Sequence, residues 1–208
     1  MKINKPKIKN CISKSLTQCI EINEFCDAIF NEEVDNNLKL NNITFDNCIF
    51  ENMDFSKISF KNIDLIDCIF KNCDLSNQNF DKQLLCRVYF KNCKIMGTTF
   101  IDSNLKDIEF NDCNCKYINL SSAIINNLKI NDSNFMEATF NETNMKNIEF
   151  KNVKFYRAEF FNSNLKNIDF SESEIEGIVI DRKSLEGIII NKFQATYIVG
   201  IFGIQIKD

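Results

Sequence analysis

The stretch Phe135-Met-Glu-Ala-Thr-Phe140-Asn-Glu-Thr-Asn-Met145-Lys-Asn-Ile-Glu-Phe150-Lys-Asn-Val-Lys-Phe155 carries an apolar residue at every fifth position. Worked outward, the phase holds from Phe45 to Ile190 without exception, over thirty positions of which fifteen are Phe. Phe25 and Phe30 keep it too, so seventeen of the twenty Phe fall on one residue in five. An amphipathic helix would repeat its apolar face at three and four residues, and a half-buried strand at two. A period of five is therefore an internal repeat, and it governs the architecture.

The unit reads small-or-apolar, polar, Phe or Leu, polar, polar, with Ile108, Ala138, Ile148 and Ser163 two residues before the centres Phe110, Phe140, Phe150 and Leu165. Two residues per unit point inward and three stay wet, which suits a chain that turns a corner every five residues. A longer period of twenty fixes the number of sides. Cys48, Cys68, Val88, Ile108 and Leu128 recur on one side, and Cys73, Cys93 and Cys113 on another. Like residues stacked at twenty imply four sides per coil, with side-chain ladders up each side. At about 4.8 Å per coil, thirty units make roughly seven coils and a filled rod about 35 Å long.

The expected division is a flexible basic segment over residues 1–18, a β-helix over 19–190 that is regular from about 43, and a C-terminal segment over 191–208. Residues 1–14 hold five Lys and no acid, which suits either a contact with an acidic partner or a frayed, solvated tail. Ile20, Phe25, Phe30 and Leu40 keep a faint phase, while Asp35 falls on an inward position. This predicts a partial first coil, with a loop or bulge near residues 33–37, capping the upstream end. Gln78 and Gln83 occupy consecutive inward sites, so the stretch 78–87 is read either as a bulge with a binding role or as drift absorbed by Gln hydrogen bonds. Lys183, also inward by phase, marks the end of the regular coils.

Net charge is −4, with 44% apolar and 26% charged residues, an ordinary soluble balance for one domain. No segment has the length of a membrane span or a signal-peptide core, which predicts a cytoplasmic protein with no membrane partner. Of the ten Cys, five (Cys48, Cys68, Cys73, Cys93, Cys113) take the inward small site and read as reduced structural thiols. With no His and no CxxC pair, mixed Cys/His zinc sites are excluded and no metal is expected. His-dependent catalysis is excluded as well, and five Gly provide no phosphate-cradling loop. No enzyme activity, catalytic residue or cofactor is expected.

The sequence after Ile190 predicts a short helix from about Phe193 to Val199, stopped by Gly200, and then an apolar end. Phe193, Tyr197, Ile201, Phe202, Ile204 and Ile206 are the candidate dimer contact; the same residues suit a cap on the last coil. On the side centred on Phe110, Ile130, Phe150 and Phe170, the outward acids Glu109, Asp112, Asp132, Glu149, Asp169 and Glu172 face only Lys129 and Lys151. They are the candidate acidic partner-binding face, with a mixed solvated face as the plainer reading.

These repeats resemble the pentapeptide-repeat family, which implies an all-β, right-handed quadrilateral β-helix with a short C-terminal helix. Gly177, Gly187, Arg182 and the ending Gly203-Ile-Gln-Ile-Lys-Asp further resemble the Qnr quinolone-resistance proteins and their relatives. That resemblance implies a homodimer through the C-terminus, forming a negative rod of DNA-like width. It would act as a non-enzymatic DNA mimic at the DNA site of DNA gyrase or topoisomerase IV, with fluoroquinolone resistance as a consequence and no direct nucleic-acid binding. The alternative is a structural or scaffold interaction module of the same class without a topoisomerase role.

Overall fold

The structure is a computed structural model describing residues 2–34 and 37–207. In chain order it comprises β1 (Ile12–Ser13), α1 (Leu16–Ile22), β2 (Cys26–Phe30), β3 (Leu38–Glu51), β4 (Ile58–Lys71), β5 (Leu84–Lys91), β6 (Asn104–Asn111), β7 (Ile124–Asn131), β8 (Asn144–Lys151) and α2 (Lys192–Ile201). The strands form one parallel sheet in sequential order. From β2 onward each strand pairs with the residue twenty further on, as in Cys48↔Cys68, Val88↔Ile108 and Ile130↔Phe150. The other sides carry single parallel bridges at the same spacing, such as Asp74↔Lys94 and Thr99↔Asn119. This is a right-handed quadrilateral β-helix of about seven turns.

All seventeen in-phase Phe are buried. The three out of phase, Phe161, Phe193 and Phe202, are exposed. In one column rings a coil apart stack, with centroids 4.5 Å apart for Phe50–Phe70, 5.1 Å for Phe70–Phe90 and 4.9 Å for Phe90–Phe110. Where Ile130 interrupts that column, Phe135 enters from the adjoining side and meets Phe110 edge-on at 5.6 Å. The core thus stays filled with aromatic contacts of favourable geometry.

Most corners fall on the second residue after a centre with positive φ, for example at Asn52, Asp67, Asn92, Asp112 and Asn152. Asn and Asp are the non-glycine residues that adopt this left-handed conformation most readily, because their short polar side chains bond locally. The polar fifth position of the unit is therefore a backbone requirement as well as a solvent preference. Gly97 fills one such corner at φ +65°, and a Cβ there would stand 2.5 Å from Asn77 Oδ1.

The inward small site has its own chemistry. Its side chain faces the backbone carbonyl twenty-three residues earlier. Thr98 Oγ1 donates to Leu75 O at 2.7 Å, Ser103 Oγ to Phe80 O at 2.8 Å, and the thiols of Cys68, Cys73, Cys93 and Cys113 donate to Phe45, Phe50, Phe70 and Phe90 at 3.4–3.5 Å. Gln78 fits the same slot, donating to Phe55 O at 2.9 Å, and Gln83 donates to Asp81 O at 2.6 Å. The twenty-residue pairing persists at Asn79↔Thr99 and from Leu84 onward, so the drift there is absorbed by glutamine hydrogen bonds. Hydrogen bonding with the Cys113 thiol above all pushes Cys93 up to about 12, which keeps this thiol a donor.

Both ends depart from the sequence reading. The upstream end carries α1, with the Ser15 hydroxyl accepting from Gln18 N at 3.0 Å in a capping box. α1 adds Leu16 and Cys19 to the core cluster, whereas Ile20, expected to point inward, is exposed. Leu16 and Cys19, three residues apart on one helix face, fill the upstream end of the core, and Ile20 lies at the solvent edge of that face. The expected inward Asp35 lies outside the described residues. Downstream, Lys183 is exposed and Ser184 is buried in its stead. The phase slips there by one residue because Asp181 bonds the Lys183 and Ser184 amides and the Ser184 hydroxyl in a tight turn. Gly200 does not stop α2, which runs on to Ile201; the left-handed glycine is Gly203, at φ +71°.

Candidate partner-binding faces

Among the described residues no group of three or more His, Cys, Asp or Glu could hold a metal ion, and no helix is long and apolar enough to cross a membrane. What the rod offers is surface.

The six candidate acids share the side formed by β6, β7, β8 and the coil after them. Strand register stacks Glu109, Lys129 and Glu149 in one outward ladder. Lys129 Nζ lies 2.6 Å from Glu149 Oε1, and this contact above all holds the Glu149 carboxyl below its ordinary range. Glu149 is thus an ion-pair member rather than an available charge, and both it and Glu109 are half-buried. Asp112 and Asp132 stand on adjacent coils of one corner at φ +55° and +48°. Asp112 accepts from Asn111 Nδ2 at 2.5 Å and Asp132 from Asn152 Nδ2 at 2.8 Å. Both border an open depression of about 440 Å³ or its neighbour along the corner. Asp169 accepts from the Ser171 amide at 2.8 Å. Asp112, Asp132, Asp169 and Glu172 are exposed.

At the downstream end, α2 is seated by a buried polar contact. Asn191 and Gln194 form a capping box, and Gln194 Nε2 donates to Phe170 O at 2.8 Å and Ser173 O at 2.6 Å. This closes carbonyls of the last coil that no further coil can reach. Ile198 packs against the core from the same side of the helix. The stripe left facing out, at i, i+4 and i+8, is Phe193, Tyr197 and Ile201; with Phe202, Ile204 and Ile206 it stays 43–72% exposed. The six candidate contact residues therefore form one apolar end.

The N-terminal segment was expected to be a flexible tail and is instead laid along the rod. Asn4 N and Nδ2 donate to Asp107 at 3.1 Å each, Lys7 N to Asp67 Oδ1 at 2.8 Å and Lys9 N to Asn47 Oδ1 at 2.9 Å. Asn47 Nδ2 returns a bond to Lys9 O at 2.7 Å, and β1 then pairs with β2. Burial raises the Asp67 carboxyl, and the Arg87 fork and the Lys7 amide more than offset it, so it lies below its ordinary range. The sequence signal for this contact is Ile3, Pro6 and Ile8 interleaved with lysines, opposite Asp67 and Asp107 on one corner.

Residues 63–140 match the pentapeptide repeat region and residues 133–172 match eight copies of the pentapeptide repeat. The chain is a pentapeptide-repeat protein. No curated protein matches this pentapeptide-repeat chain in sequence. It is similar to a trypsin-treated variant of QnrB1, a plasmid-mediated fluoroquinolone resistance protein, at 19% identity over 86% of this chain and 97% of that one, with a TM-score of 0.45. A second trypsin-treated QnrB1 variant gives 18% identity over 95% and 100%, with a TM-score of 0.46. HetL, a pentapeptide repeat protein of the cyanobacterium Nostoc involved in heterocyst differentiation regulation, gives 10% identity over 91% and 93%, with a TM-score of 0.34.

Proposed function

We propose that this pentapeptide-repeat protein is a non-enzymatic, cytoplasmic DNA mimic that pairs through its C-terminal end and occupies the DNA site of DNA gyrase or topoisomerase IV, with fluoroquinolone resistance as a cellular consequence. The reading rests on the exposed carboxylates Asp112, Asp132, Asp169 and Glu172, held on one rigid side. Six acids against Lys129 and Lys151 leave four net charges over the coils from Glu109 to Glu172, about one per 5 Å at the coil spacing. One DNA strand carries one per 3.4 Å and a duplex one per 1.7 Å. The face approaches the density of a single phosphate strand. Pairing supplies length: one rod spans about ten base pairs, and two joined at the apolar end of α2 about twenty.

The test is gyrase supercoiling with titrated protein, with and without a fluoroquinolone, for the native chain and for Asp169→Lys with Glu172→Lys. Both substituted residues are exposed, so the fold and the pairing are retained. The double variant is expected to lose its effect on gyrase, and the native effect to weaken as salt rises. An undiminished effect in the variant would leave a scaffold role in place of mimicry.

A further inference from the structure

The N-terminal segment and the corner beneath it fit each other in spacing and in chemistry. The corner column runs Asn47, Asp67, Arg87, Asp107, one residue per coil. Asn4, Lys7 and Lys9 reach Asp107, Asp67 and Asn47 in turn. From Asn4 to Lys7 an extended chain covers about 10 Å, and the two coils between Asp107 and Asp67 rise by about 9.6 Å. The segment therefore runs along the rod axis, against the direction of coil growth, passing over Arg87, which offers no acceptor and turns its guanidinium to Asp67. With the segment in place Asp107 is 2% and Asp67 7% exposed, so the segment and the corner together cover both acceptors.

Three features make the occupant exchangeable. Its bonds come chiefly from backbone N–H groups, with Asn4 Nδ2 the one side-chain donor from residues 2–10 to the column, so another extended chain could make them. None of residues 2–14 belongs to the core cluster, and lifting the segment opens no coil. Its lysines also offset the rod's own charge: without Lys2, Lys5, Lys7 and Lys9 the chain holds twenty-one bases against twenty-nine acids, moving net charge from −4 to −8.

We propose that the corner column Asn47, Asp67 and Asp107 is a docking site for an extended, lysine-rich polypeptide segment, filled in cis by residues 2–10 and open to such a segment of a partner protein when the cis copy is displaced. Specificity comes from the axial spacing of the acceptors and from the lysines flanking them. The short tether gives the cis copy an effective concentration in the millimolar range, so a free segment competes poorly unless the N-terminus is removed or sequestered. The proposal stands independently of any topoisomerase.

The experiment titrates a fluorescent peptide of residues 2–10 into the chain lacking those residues, read by anisotropy. Saturable 1:1 binding is expected, at least tenfold weaker to the full-length protein and lost when Asp67→Asn and Asp107→Asn are introduced together. A peptide with Lys7→Pro, which lacks the N–H that reaches Asp67, is expected to bind at least fivefold more weakly. No binding to a truncated chain of native circular dichroism, or equal binding by the double-Asn variant, would overturn the site. If the truncated chain does not fold, hydrogen exchange on the full-length protein decides. A Lys7 amide protected in the native chain and released in the double-Asn variant supports the site; an amide unprotected in the native chain, or equally protected in the variant, refutes it.

Discussion

Phe140 and Phe161 show what one residue's place in the phase is worth. Phe140 is fully buried, with the Phe160 ring stacked 4.9 Å away, whereas Phe161 is one residue out of phase and 41% exposed. Phe140→Ala is expected to lower the unfolding free energy by about 3–5 kcal/mol, and Phe161→Ala by less than about 0.5 kcal/mol, both measured by denaturant titration. Phe140→Asp should unfold the rod by burying an unpaired charge. Asp181 carries a pH dependence. Hydrogen bonding from the Ser184 hydroxyl above all holds its carboxyl down to about 2, below the roughly 3.9 of an unfolded chain. Its contribution is therefore complete above about pH 4 and lost as pH falls toward 2. Asp181→Asn should lower the melting temperature at pH 6 and make a smaller difference at pH 2, by thermal melts at both.

Among elements, β2 to β8 could be read from the sequence, β1 could not, and the helices only in part. The five-residue phase carries β2 to β8 because corner, centre and inward small site are each set locally by one residue, whereas β1 lies in the segment expected to be a tail. α2 was foreseen, but its length was not, since Gly200 inside a helix costs only about 1 kcal/mol against alanine and packing of Ile198 and Gln194 outweighs it. α1 went unread because a seven-residue helix shows no periodicity of its own; its one local signal is the Ser15/Gln18 capping box. Gln194→Ala should cost about 1–3 kcal/mol by leaving buried carbonyls of Phe170 and Ser173 unpaired. Hydrogen exchange should then speed up in the last coil while the coils around Phe90 stay protected.

At the scale of the whole molecule, the rod has one apolar end and one side with exposed carboxylates. Phe193→Glu with Tyr197→Glu changes two side chains that α2 turns to solvent, so circular dichroism should stay native. Light scattering is expected to give a dimer for the native chain and a monomer for the double variant, with any effect on gyrase lost alongside the dimer. A native chain that is monomeric at all concentrations would remove the two-rod geometry.

The sequence alone determined the β-helix, its four sides, its roughly seven coils and the inward direction of each in-phase Phe. A repeat fixes these through nearest-neighbour stacking, and every coil restates the same local rule. It also located the acids and the apolar residues of the two candidate faces. Only the tertiary structure decided which of them are available. Glu149 pairs with Lys129 across one coil spacing, and α2 turns Phe193, Tyr197 and Ile201 outward because Gln194 is anchored beneath. The lysine-rich N-terminus lies over Asp67 and Asp107, contacts between residues 60 and 103 positions apart. No periodicity carries such contacts, because their acceptors become one row only once the coils have stacked.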